Sequence, residues 1–119
     1  AIYYLLTPDT FSALHRLSFD EVFHFYLGDP VDMLQLAPDG AGRIVALGQD
    51  LKNGQSVQVV VPANTWQGSR LKDGGHWALL GTTVAPPFFP NIYETGQRER
   101  LEKEYPEFNT QIRYLTLDK

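Results

Sequence analysis

His15-Arg16-Leu17-Ser18-Phe19-Asp20-Glu21-Val22-Phe23-His24-Phe25-Tyr26-Leu27-Gly28 is the stretch on which both fold and chemistry turn. Side chains alternate across a strand, so Ala13, His15 and Leu17 are expected to share one face of a strand over 12–17. After a Ser18-Phe19-Asp20 turn, Glu21, Phe23 and Phe25 share one face of the next strand. A hairpin between the two is predicted to bring His15 and Glu21 together. A basic nitrogen beside a carboxylate inside an apolar barrel is the start of a metal site or an acid/base pair, because burial and mutual charge shift both pKa values. The plainer alternative is a buried, mutually satisfied pair that only pins the hairpin.

Outward from this stretch, short apolar or alternating runs are divided by turn residues. Thr7-Pro8-Asp9, Gly28-Asp29-Pro30, Pro38-Asp39-Gly40, Lys52-Asn53-Gly54 and Lys72-Asp73-Gly74-Gly75 supply the preset and positive φ that reversals require. The strands predicted between them cover 2–6, 12–17, 20–27, 31–37, 42–48, 56–61, 65–71 and 76–84, which indicates an all-β sandwich or barrel. The period changes after Pro90. Residues 97–105 are rich in helix formers with Leu101 and Tyr105 on one face, and Pro106 should end that helix. A second helix over 107–116 aligns Phe108, Ile112 and Leu115, although Ile112-Arg113-Tyr114-Leu115-Thr116 also suits a strand. One domain over 1–119 is expected, a β-barrel over 1–90 with a helical extension over 91–119 that caps one end of it.

With 119 residues, 43% hydrophobic and 13% aromatic, the chain can bury a sizeable core, which excludes bulk disorder. Fourteen acidic against ten basic residues give a net charge of −4 without any Lys/Arg block, so neither nucleic acid nor an anionic membrane is an expected partner. Runs such as Val59-Val60-Val61 are far shorter than the roughly 20 residues of a membrane-crossing helix. The absence of cysteine excludes a disulfide scaffold, a Cys-ligated zinc and a thiol nucleophile. No Gly-rich phosphate loop or Gly-x-Ser-x-Gly elbow is present, and Ser12 near His15 has no arguable oxyanion hole. Small molecules and protein partners remain, with the cytoplasm as the default address. The start at Ala1-Ile2-Tyr3-Tyr4-Leu5-Leu6 reads as a strand already under way, and an upstream segment is expected.

The spacing His15, Leu17, Glu21, Gly28 resembles the first motif of the cupin superfamily, in which His-x-His is followed by Glu and, six residues later, Gly. Val61-Pro62-Ala63-Asn64-Thr65-Trp66-Gln67 and Gly81-Thr82-Thr83-Val84-Ala85-Pro86 extend the resemblance over nearly the whole chain, toward a branch of short cupins of uncharacterised function. Members of that branch usually carry a further N-terminal helix and strand. The resemblance implies a double-stranded β-helix, the cupin jelly roll, with short C-terminal helices. It also implies a pocket inside the barrel and, together with an apolar edge strand at 2–6, a homodimer.

Two departures bear on cofactors. Metal-dependent cupins use two His and a Glu from the first motif and a His from the second; here Leu17 and Gln67 replace two of the imidazoles. His15 and Glu21 remain as strong ligands with Gln67 as a weak amide donor, so no metal is firmly implied and a weakly bound divalent transition metal on His15, Glu21 and Gln67 is the alternative. Without metal, the three form a polar floor, with His15 and Glu21 as the catalytic candidates and Gln67, Phe23, Phe25 and Trp77 (or Trp66) as ligand contacts. His24 and Arg16 are expected to point outward, Arg16 pairing with Asp20 or an interface carboxylate, and His76 to be exposed. Pro87 stands where the family has Gly in Ala85-Pro86-Pro87-Phe88, which leaves Glu94 without an assigned role. The expected function is a small-molecule-binding cupin, with sugar or sugar-nucleotide isomerase or epimerase chemistry as its enzymatic form and ligand binding or storage as its non-catalytic one. An acid facing His15, for which Tyr3, Tyr4 and Tyr26 are candidates, separates the two, and parity puts Tyr26 outside.

Overall fold

The computed structural model describes residues 1–86 and 92–117. Its strands are β1 (Ile2–Leu6), β2 (Ser12–Leu17), β3 (Glu21–Gly28), β4 (Val31–Leu36), β5 (Gly42–Leu47), β6 (Gln58–Val61), β7 (Trp66–Leu71), β8 (Ala78–Val84) and β9 (Tyr93–Thr95), followed by helices α1 (Arg98–Glu104) and α2 (Asn109–Tyr114). They form a four-stranded sheet in the order β1-β8-β3-β6 and a five-stranded sheet in the order β5-β4-β7-β2-β9. Every described pairing between these strands is antiparallel, and the strand order is that of a jelly roll.

This topology corrects the expected hairpin, since β2 and β3 lie in opposite sheets. Polar groups of the Ser18-Phe19-Asp20 corner are taken by other segments: the Ser18 backbone N–H donates to the Ile92 carbonyl (3.1 Å), and the Asp20 side-chain Oδ1 accepts from Ala63 N–H (2.8 Å). Asn64 N–H likewise donates to the Leu17 carbonyl (2.8 Å). The segment is a crossing between sheets. At the far end of β3, Gly28 holds φ +102°, and a Cβ there would lie 2.4 Å from the Trp77 carbonyl oxygen, so the turn into Asp29-Pro30 requires glycine.

Inward-facing residues build one core: Leu6, Phe23, Phe25, Val31, Met33, Leu47, Leu71, Ala78 and Leu80 pack between the sheets. The opposite face of the five-stranded sheet builds a second, in which Leu14, Leu34, Leu36 and Trp66 meet Leu101, Tyr105, Ile112 and Leu115. The helices therefore lie on a sheet face and do not cap the barrel's end. The strand alternative for 112–116 is not adopted, because Ile112 and Leu115 reach this core on helical spacing. Pro106 ends α1 as expected and opens a short 3-10 turn. Among the described residues no helix covers the four-stranded sheet. Tyr3 is 79% exposed there, edge-to-face with Tyr26 (centroids 6.0 Å apart), and the Tyr26 ring lies over Gly81, where a Cβ would meet it at 2.6 Å.

If the helices are held by this second core, Leu101→Ala should destabilise the chain by about 2–5 kcal/mol in urea unfolding. Leu117→Ala, at an exposed position, should change stability by less than about 0.5 kcal/mol.

Candidate functional site

Three elements from both sheets position the polar cluster. His15 on β2 pairs in register with Gln67 on β7, while Glu21 opens β3 between Val61 and Val84. A register shift between Ser12 and His15 makes both face the barrel, which overturns the plain alternation that put Ala13 beside His15. His15, Glu21 and Gln67 are 6%, 7% and 1% exposed, and they touch. The Gln67 amide nitrogen lies 2.9 Å from His15 Nε2 and 2.9 Å from Glu21 Oε1. The expected His15 and Glu21 partnership exists, but through the amide and across the barrel.

Hydrogen-bond polarity follows from one backbone group. His15 Nδ1 is 2.7 Å from the Ala13 carbonyl oxygen, which only accepts, so Nδ1 carries the proton and Nε2 of the neutral ring accepts from Gln67. Burial pushes the His15 pKa down, and the Ala13 carbonyl opposes this in part. Burial also pushes the Glu21 carboxyl up to about 7, against the pull of the Thr82 hydroxyl and the Gln67 amide. Near neutral pH the site thus holds a neutral imidazole beside a half-ionised carboxyl group.

Aromatic rings complete it. Tyr93 on β9 stacks on His15 with centroids 4.6 Å apart and planes at 14°. The Tyr4 phenol faces inward and hydrogen-bonds the Ser12 hydroxyl, so Ser12 serves Tyr4 and not His15. Burial raises the pKa of Tyr4 and Tyr93. Of the tyrosines offered as an acid facing His15, Tyr4 is inside, while Tyr3 and Tyr26 are outside. Phe23 and Phe25 face the interior as expected, Phe23 against Tyr4 (6.1 Å) and both within the apolar core. Trp77 is 45% exposed just before β8 and does not line the site. Trp66 is no substitute, because its strand parity turns it to the helices, where the Arg16 guanidinium covers it at 4.4 Å. Arg16 pairs with Glu94 (2.8 Å), not with Asp20, and Glu94 also meets Arg100 at 3.5 Å. His24 lies outside, stacked with Tyr26, and His76 is exposed beside Asp29. Pro87-Phe88 lies outside the described residues.

Strand β9 and Tyr93 are what sequence reasoning missed. The run Tyr93-Glu94-Thr95 is too short to show alternation; the only signal was a tyrosine and a threonine flanking an outward acid.

For a divalent transition metal the described residues offer here two strong donors, His15 and Glu21, and one amide, Gln67. Among the described residues no three His, Asp or Glu side chains converge, and Gln67 turns its N–H groups, not its oxygen, toward His15 and Glu21.

The Glu21 shift sets a pH dependence of stability. Below the ordinary carboxyl value of 4.5 the group is protonated in both states; between 4.5 and about 7 only the unfolded chain releases the proton, so stability falls as pH rises. His15 acts oppositely, losing stability as pH falls below its ordinary 6.5. Glu21→Gln should gain on wild type by up to about 3 kcal/mol between those carboxyl limits and then level off, read from urea midpoints over pH 4–9. A pH-independent difference would refute the buried titration.

Comparison with known proteins agrees with this architecture. A family model described as Cupin superfamily (DUF985) matches residues 1–95. The crystal structure of protein SO0799 from Shewanella oneidensis superposes with a TM-score of 0.90 at 30% identity, covering 98% of this chain and 73% of that one. The uncharacterized protein YML079W of Saccharomyces cerevisiae is 30% identical over 90 residues, which are 73% of this chain and 45% of that protein, so the chain spans less than half of this relative. A dTDP sugar isomerase from Desulfovibrio desulfuricans shares the fold at a TM-score of 0.66 and 19% identity, covering 81% and 62% of the two chains. With its jelly roll and its His15 to Glu21 spacing intact, the chain belongs to the cupin superfamily, in the family DUF985.

Proposed function

We propose that the polar end of the barrel is a small-molecule site in which Glu21 and His15 exchange protons with a bound sugar or sugar-nucleotide substrate, in an isomerase- or epimerase-like reaction. The observation that carries this reading is a pair of buried titratable groups bridged by one amide and separate from both apolar cores. Burying them opposes folding, so hydrophobic packing alone gives no reason for their presence. A carboxyl with a pKa of about 7 both gives and takes protons at neutral pH, and the neutral imidazole is a base held in one tautomer. The Tyr4 phenol supplies an acid from the other sheet. The jelly-roll likeness to a dTDP sugar isomerase agrees with this chemistry at the level of fold. One observation favours the non-catalytic alternative: the His15 Nε2 lone pair is engaged by Gln67 and must be released before it can act as a base.

The test is deuterium exchange. The chain incubated in D2O with a panel of ketoses, aldoses and dTDP-linked sugars should place deuterium on substrate carbon, and Glu21→Gln and His15→Ala should each lower the rate at least 100-fold. Binding without exchange would establish the non-catalytic alternative. Elemental analysis of the same sample should show substoichiometric Fe, Mn, Ni and Zn, with activity unchanged by chelator; one metal per chain would overturn the metal-free reading.

We also propose that the chain pairs with a second copy through the uncovered face of the four-stranded sheet. Tyr3, Leu5, Val22, His24, Tyr26 and Val60 point out of it, none of them a Lys, Arg, Asp or Glu. An aromatic face depleted of charge has the composition of an interface centre, and an identical face is its uncharged complement. Sedimentation at micromolar concentration should show twice the 13.5 kDa chain mass, and Tyr3→Glu should return it to monomer.

A further inference from the structure

Resting on the small-molecule reading, one buried atom narrows what the site takes. The Ala13 carbonyl places the proton on His15 Nδ1, and the Nε2 lone pair then claims one N–H of Gln67. Glu21 Oε1 claims the other. With both protons of the amide spent, Gln67 Oε1 must turn away from His15 and Glu21, and there it is buried with no hydrogen-bond partner. Turning the amide over gives no relief, because its oxygen would then face the His15 Nε2 lone pair, and Glu21 as a second acceptor whenever that carboxyl is ionised. The neighbour in register on β4, Gln35, has its own partners: its amide nitrogen meets the Val60 carbonyl (3.3 Å) and Met33 Sδ (3.5 Å), and its oxygen accepts from Arg43. A buried acceptor without a donor is rare in folded chains and marks a place where something else supplies one.

We infer that Gln67 selects the ligand: its Oε1 accepts a hydrogen bond from a hydroxyl or N–H of the bound molecule, so the site takes a neutral polyhydroxylated compound and rejects a carboxylate or phosphate at this position. An anion there would face the amide oxygen and the Glu21 carboxylate together. A sugar ring answers both acceptors with adjacent hydroxyls.

The experiment reads the Gln67 side-chain carbonyl by 13C NMR in the full chain. D-glucose, D-xylose and myo-inositol are titrated to millimolar concentration against acetate, citrate and inorganic phosphate. At least one neutral polyol should move that carbonyl downfield, and its binding should weaken at least tenfold in Gln67→Met, which keeps length and removes the acceptor. The three anions should leave the carbonyl where it is. Polyol binding unchanged in Gln67→Met, or a polyol that moves other signals but not this one, overturns the inference. Should the variant fail to fold, the wild-type carbonyl shift decides alone. Anions that perturb His15 and Glu21 where polyols do not would leave the small-molecule site standing and remove this selectivity. If no probe moves any of the three residues, water is the donor to Oε1, and both the selectivity and the small-molecule reading fall.

Discussion

The three central strands of the five-stranded sheet, β4, β7 and β2, are buried on both faces, and the rest of the architecture follows from that constraint. Along β4 the odd residues Val31 and Met33 enter the barrel core while Leu34 and Leu36 enter the helical one. On β7, Leu71 faces inward and Trp66 outward, and on β2 Leu14 faces outward while His15 faces in. A sheet with two apolar faces must be covered twice. The four-stranded sheet covers one face and the paired helices cover the other. Because the helices are spent on this task, the outer face of the four-stranded sheet is left with Tyr3, Tyr26 and Val60 in contact with solvent. Ion pairs such as Arg16 with Glu94 decorate this arrangement without holding it, since exposed pairs contribute under about 1 kcal/mol.

Within the barrel, the apolar core fills the interior around Phe25, Leu47 and Leu71, and the polar residues collect where β2, β7 and the start of β3 meet. Such a cluster is tolerable only when nearly every donor finds an acceptor. Gln67 achieves this for two partners at once and leaves its oxygen as the remaining debt. Removing Gln67 would therefore strand an imidazole lone pair and a carboxylate together, whereas replacing an apolar neighbour would disturb neither.

Much of this was readable in the residues. The turn signals and alternation located the first eight strands to within about two residues, and the parity of Glu21, Phe23 and Phe25 held because β3 runs without a bulge until Phe25. The Leu101 and Tyr105 stripe named the helix and its buried face. What failed, failed for nonlocal reasons. The bulge between Ser12 and His15 shifts parity on β2 with no glycine to announce it. Whether Ser18-Phe19-Asp20 closes a hairpin or crosses between sheets depends on Ile92 and Ala63, which are remote in sequence. Parity near Pro62 is too irregular to orient the tryptophans, and Trp77, offered as a ligand contact, precedes the first paired residue of β8.

The two replaced imidazoles are not independent losses. Leu17 stands two residues from His15 on the same strand face and contributes an apolar side chain beside Tyr93, its partner in register. Gln67 stands in register with His15 and reaches Glu21 as well. In a metal-binding arrangement a cation would answer both His15 Nε2 and Glu21. Here two amide protons on one nitrogen answer the same two lone pairs, carrying partial positive charge with fixed direction in place of a full charge without one. In this arrangement the amide meets both lone pairs without an ion having to be desolvated, and the imidazole is neutral as it would be on a metal. The exchange also transfers the unmet valence of the site from a metal's open coordination position to the carbonyl oxygen of Gln67, which asks for a donor instead of a ligand lone pair.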